Sequence, residues 1–116
     1  CEVPFANYDP SMPEYSAEPM PADLLVCTDV LEHIEPLCLQ DVLAHMRSLT
    51  LKACYLQIAI RPAKRILSDG RNAHLLVKPP YFWFDTLREH FDITELRVFP
   101  GHSIAVVGRP LGDLYE

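Results

Sequence analysis

Two apolar periods alternate along this chain, and their order predicts its elements. Leu24 to Thr28 is a short, nearly continuous apolar run bounded by Asp23 and Asp29, the pattern of a strand covered on both faces. It is expected to be a central parallel strand. Glu35-Pro36 then opens a helix, since proline is tolerated in a first turn and an acid there complements the helix dipole. Leu39, Val42, Leu43, Met46 and Leu49 follow at spacings of three and four, a buried stripe opposite Gln40, Asp41, Arg47 and Ser48. Ala53 to Ile60 is apolar and β-branched enough for the next strand, closed by Pro62. Together they predict a strand-helix-strand unit with a right-handed crossover.

Residues 61 to 79 break both periods around the turn-prone cluster Asp69-Gly70-Arg71-Asn72-Ala73-His74. Loops this long in compact domains are usually functional or disordered. Pro80 starts a helix running to His90, with Phe82, Trp83, Leu87 and Phe91 as packing anchors. Ile93 to Phe99, a turn at Pro100-Gly101, and Ser103 to Val107 read as an antiparallel hairpin. Upstream, residues 1 to 21 hold five of the eleven prolines and, beyond Asp9, no period, so an extended surface connection is expected. Val3 to Tyr8 alternates well enough for a short edge strand ending at Asp9. The reading is one partial α/β domain over 1–116, with an extended segment 1–21 and a core 22–110.

The 116 residues suffice for a single core but are short for a complete doubly wound enzyme. No stretch approaches the roughly 20 apolar residues of a membrane span, and no secretory leader pattern is present. A chain beginning with Cys1 rather than Met reads as a piece of a longer frame or a processed product. The four cysteines lack C-x-x-C spacing and read as reduced thiols of a cytoplasmic protein. A net charge of −6 argues against wholesale wrapping of nucleic acid. The charge is uneven: nine acids and no Lys or Arg precede Arg47, whereas five of the ten basic residues fall between Arg61 and Lys78 with the single acid Asp69. Such a loop suits an anionic substrate group or is simply a solvated segment. In the first case Arg61, Lys64, Arg71 and Asn72 would hold a phosphate or carboxylate, since guanidinium and amide groups favour bidentate recognition.

Chemistry gathers where the first strand ends. Asp29, Glu32 and His33 follow it closely, at the kind of junction where open α/β sheets bind ligands. At a helix start, Glu32 and His33 equally suit capping and local pairing. His45, His90 and His102 have no such context and read as surface or packing residues.

Asp29-Val30-Leu31-Glu32-His33 resembles the segment after strand four of class I S-adenosylmethionine-dependent methyltransferases. From Ala22 to Gly108 the order of elements is similar to the second half of that fold. There, strands four, five and six alternate with helices and an antiparallel strand seven inserts beside five. With the later His74 and Trp83, the motif is similar to small-RNA 2′-O-methyltransferases and ubiquinone-biosynthesis O-methyltransferases. The resemblance implies a Rossmann-like, mostly parallel sheet with an antiparallel last strand, a truncated class I fold. It implies methyl transfer from S-adenosylmethionine to an oxygen or nitrogen nucleophile, on a small molecule or a nucleic acid. Asp29, Glu32, His33 and His74 would be catalytic and would hold a divalent ion such as magnesium, manganese or zinc, which lowers the pKa of an acceptor hydroxyl. Asp9 matches the acid that accepts hydrogen bonds from the cofactor ribose, while Cys27 and Thr28 stand against its methionine portion.

The same family cradles its cofactor on a glycine-rich turn after strand one. This sequence has only Gly70, Gly101, Gly108 and Gly112, and no G-x-G. Three readings follow: a truncated methyltransferase, a split one completed by another chain, or a non-catalytic binding and assembly module that has lost its cofactor pocket. Unpaired strand edges then predict a homo-oligomer or completion by a missing N-terminal part.

Overall fold

Among the described residues, four strands and two α-helices follow one another in the order the apolar pattern sets out: β1 (Ala22–Thr28), α1 (Leu39–Leu49), β2 (Thr50–Ala59), α2 (Pro80–Leu87), β3 (Phe91–Phe99) and β4 (Ser103–Pro110). The structure, a computed structural model, describes residues 20–112. The expected Val3–Tyr8 strand and the role expected of Asp9 lie outside the described residues. The sheet order is β1-β2-β4-β3. β1 runs parallel to β2, while β4 is antiparallel to both β2 and β3. This is the arrangement that the methyltransferase resemblance requires of strands four to seven.

The helix-to-strand transition after α1 takes no loop. Leu49 ends the helix and Thr50 begins β2, and the Thr50 hydroxyl donates to the Met46 carbonyl at 2.8 Å, closing an orphan acceptor of the last turn. Along β2 the period of two buries Cys54, Leu56 and Ile58. These join Ile104 and Val106 of β4, Leu39, Leu43 and Met46 of α1, and Trp83 and Leu87 of α2 in one cluster. Trp83 is fully buried, with Phe82 edge-to-face against it at 5.2 Å between ring centroids.

Three expectations are corrected by position. Among the described residues β1 is an edge strand paired only with β2, and Leu24 and Val26 are 53% and 51% exposed, because nothing in residues 20–112 covers that side. The first helix begins as a separate 3₁₀ turn at Pro36–Cys38 and becomes α-helical only at Leu39. α2 ends at Leu87 rather than His90, because Phe91 must enter the core at the start of β3; His90 closes the turn by donating to the Leu87 carbonyl. Within the described residues no helix is long and apolar enough to cross a membrane.

Candidate metal and acceptor site

At the end of β1 the chain turns sharply. Asp29 adopts a left-handed conformation, φ 58°, which aspartate tolerates better than most residues, while its amide still bonds the Gln57 carbonyl at 3.1 Å. A 3₁₀ turn over Leu31–His33 follows, with Leu31 1% exposed as its apolar anchor. That anchoring carries the neighbouring Glu32 into the interior, also at 1% exposure, while 44% of the His33 side chain faces out. Neither residue caps α1, whose N-cap is Cys38 with no side-chain bond.

Both Glu32 carboxylate oxygens are buried without a hydrogen-bond partner among the described residues. An ionised carboxylate without water or donors costs several kcal/mol, so the group requires a cation or a proton. His33 Nε2 lies 4.0 Å from Glu32 Oε1.

The other wall comes from the long loop between β2 and α2. Leu76 donates its amide to the Glu32 carbonyl at 3.0 Å, tying the loop to the junction. His33 Nδ1 lies 2.9 Å from the Ala73 carbonyl, and His74 Nδ1 2.5 Å from the Arg61 carbonyl. A carbonyl oxygen only accepts, so in each neutral ring Nδ1 carries the proton and Nε2 keeps its lone pair, the arrangement that orients metal-binding histidines. The two rings meet edge-to-face at 4.8 Å between centroids. One ligating atom from each of Glu32, His33 and His74 falls within 4.8 Å of the others.

Three of the four expected ligands therefore come together. Asp29 does not join them: it is exposed, and its visible part is the backbone reversal that sets Glu32 in place. Cys27 is half-buried on β1, its thiol pushed up to about 11 by burial and by the Glu32 charge; Thr28 is exposed at the strand end.

The loop's polar residues divide their labour differently from the sequence expectation. Arg71 is consumed by carboxylates, pairing with Glu35 at 2.7 and 3.0 Å and with Asp69 at 2.8 Å. Hydrogen bonds from Arg71 hold both acids below the usual carboxylate range. Asn72 is a clamp: its Oδ1 accepts from the Ala63 and His74 amides, and its Nδ2 donates to the Ala63 carbonyl, each at 2.9 Å. Arg61 supplies the carbonyl that fixes His74. Lys64 and Arg65 instead line a concavity of about 430 Å³ beside His33, walled by Leu67 and Leu75. Arg65 escaped the sequence reading, although it lies in the same basic run.

No family model matches the chain, and no curated protein does. Solved structures do match. One is the Burkholderia thailandensis 1,6-didemethyltoxoflavin-N1-methyltransferase with 1,6-didemethyltoxoflavin and S-adenosylhomocysteine bound, at TM-score 0.59 and 16% identity, over 78% of this chain and 44% of that one. Another is the magnesium protoporphyrin IX methyltransferase of Synechocystis PCC 6803 with S-adenosylmethionine, at TM-score 0.56 and 16% identity, over 82% of this chain and 42% of that one. Its complex with S-adenosylhomocysteine matches at TM-score 0.56 and 15% identity, over 82% and 48%. The fold is that of a class I methyltransferase. This chain spans less than half the length of these neighbours.

Proposed function

We propose that this chain forms the acceptor-side part of a methyltransferase that moves a methyl group from S-adenosylmethionine to an oxygen or nitrogen nucleophile. In this reading Glu32, His33 and His74 hold a divalent ion. The observation that carries it is the Glu32 carboxylate, buried and unpartnered beside two histidines whose Nε2 lone pairs are left free by bonds at Nδ1. Two imidazoles and one carboxylate favour manganese or zinc over magnesium, which prefers oxygen ligands. When bound, the ion would act as a Lewis acid that lowers the pKa of an acceptor hydroxyl.

The chain's own groups have separable tasks. Glu32 supplies the charge that draws a cation in, and burial keeps that charge unscreened. His33, partly open to the concavity, would bring the ion it ligates through Nε2 to the side on which the acceptor enters. Asp29 sets the reversal, and in this reading Cys27 and Thr28 would face the methionine portion of the cofactor. Arg61 and Asn72 act by fixing His74, whereas Arg71 holds the loop to Glu35.

For the cofactor the fit is partial, since the sequence contains no G-x-G turn. Its binding then draws on further residues, which would cover Leu24 and Val26 on the exposed side of β1. A second copy of this chain pairing along that edge is the homo-oligomeric form of the same completion. The unpaired thiols of Cys27, Cys38 and Cys54 suit a cytoplasmic setting.

Calorimetric titration of S-adenosylhomocysteine into the folded chain with manganese present tests the enzymatic reading. A saturable heat supports it. No heat at millimolar ligand, with the chain folded, overturns it for this chain and favours a non-catalytic binding or assembly module with the same fold.

A further inference from the structure

The loop that delivers His74 also delivers two cations with no acidic partner among the described residues. Lys64 and Arg65 are exposed and form no salt bridge among the described residues, yet both line the concavity that His33 opens into. The loop's own acid, Asp69, and the neighbouring Glu35 are both occupied by Arg71. Charge that would otherwise neutralise the pocket is thus consumed elsewhere. The pocket wall is fixed rather than loose: the Ala73 amide donates to the Arg65 carbonyl at 3.0 Å, Ile66 bridges Asn72, and the Asn72 clamp holds Ala63, next to Lys64, against His74. Leu67 and Leu75 add apolar surface beside the cations. A pocket of this composition suits a small molecule with an anionic end and an apolar or ring-like body.

We propose that Lys64 and Arg65 form an oxyanion subsite that binds a phosphate or carboxylate group of the methyl acceptor and sets its nucleophile against Glu32, His33 and His74. The class of acceptor is a small anionic molecule, its charged group on the loop side and its reacting atom on the histidine side. This rests on the methyl-transfer reading above, but its test needs neither metal nor cofactor.

The test is a chemical-shift titration of the ¹⁵N-labelled chain, run separately with ribose 5-phosphate and with 4-hydroxybenzoate as the phosphate and carboxylate probes. Saturable shifts confined to amides 63–67 and 73–75 are expected with at least one probe, and the probe that binds identifies the anion. The double variant Lys64→Gln, Arg65→Gln should weaken that binding about tenfold or more, since charge-assisted contacts are lost. The control Lys52→Gln, Arg109→Gln removes the same charge from the far end of the sheet and should leave it unchanged. Glu32→Gln should also retain anion binding even where it abolishes metal binding, so a failed metal site and a failed anion subsite give different results. Both cations are exposed and make no side-chain hydrogen bond among the described residues, so the variant is expected to stay folded, which its own spectrum reports. No saturable shift with either probe, or equal binding by the charge-neutralised variant, overturns the proposal.

Discussion

The two flanks of the sheet are built from similarly apolar strands and end up in opposite states. On the β2-β4-β3 flank, the central strands bury Leu56, Ile58, Ile104 and Val106, each at most 1% exposed, in one cluster with Trp83 and Leu87 of α2, while Val98 and Phe99 on the β3 edge stay 42% and 44% exposed. On the β1 flank, Leu24 and Val26 stay half exposed, and the interior is reached by a charged residue, Glu32. The first flank is organised by packing; the second is organised around a group that packing alone cannot satisfy. What the contrast teaches is that the packed half serves as the platform, although Trp83 Nε1 and Ser103 Oγ are buried there without a partner among the described residues, while the open half carries the one buried carboxylate among those residues, Glu32.

The contrast is broken most forcefully from the closed side. Trp83→Ala should cost about 3–5 kcal/mol, and Leu56→Ala about 2–5 kcal/mol, because each empties a fully buried site. Denaturant melts followed by circular dichroism would read this. Asn72→Ala comes next: losing three hydrogen bonds at a half-buried clamp should cost about 1–3 kcal/mol. It should also weaken metal binding about 10–100-fold by releasing His74, whereas Trp83→Phe should leave the metal affinity of the folded fraction unchanged.

A smaller effect reads burial by pH. Burial pushes the Cys54 thiol from 9.0 up to about 11, so its neutral form is favoured in the folded chain. That contribution is complete below pH 9.0 and is lost as pH rises through about 11, and chemical denaturation at pH 8 and pH 11 should differ by about 1–2 kcal/mol on its account. Cys54→Ala should reduce the difference. Smallest of all, Leu24→Ala should change stability by about 0.5 kcal/mol or less, as its side chain is already half in water. A loss comparable to that of Leu56→Ala would mean that β1 is covered in solution and that the two flanks are alike.

Much of the closed flank was legible in the sequence because local periods and tertiary packing agree there. Of the stripe Leu39, Val42, Leu43, Met46 and Leu49 and the anchors Phe82, Trp83, Leu87 and Phe91, all are buried as their spacing predicts except Val42, Leu49 and Phe82, which are half-buried. β1 departs from its reading in two ways: among the described residues it pairs on one edge only, and of its continuous apolar run only Leu25 and Cys27 pack on the core while Leu24 and Val26, on the opposite face, stay half exposed. At the site, Glu32, His33 and His74 could be nominated from a motif and a distant histidine. Their hydrogen bonds could not, because Asn72 and Arg71 have side chains equally suited to a ligand and to their own loop. Only the fold shows that Asn72 spends its amide on Ala63 and His74, and that Arg71 spends its guanidinium on Glu35 and Asp69.

The central claim is that the open flank is organised around a metal-binding carboxylate, and direct manganese binding tests it. Electron paramagnetic resonance of the chain titrated with manganese should show one saturable site with micromolar affinity, lost in Glu32→Gln and in His74→Gln while both variants remain folded. Absence of a saturable site, or a site that survives Glu32→Gln undiminished, would contradict the account.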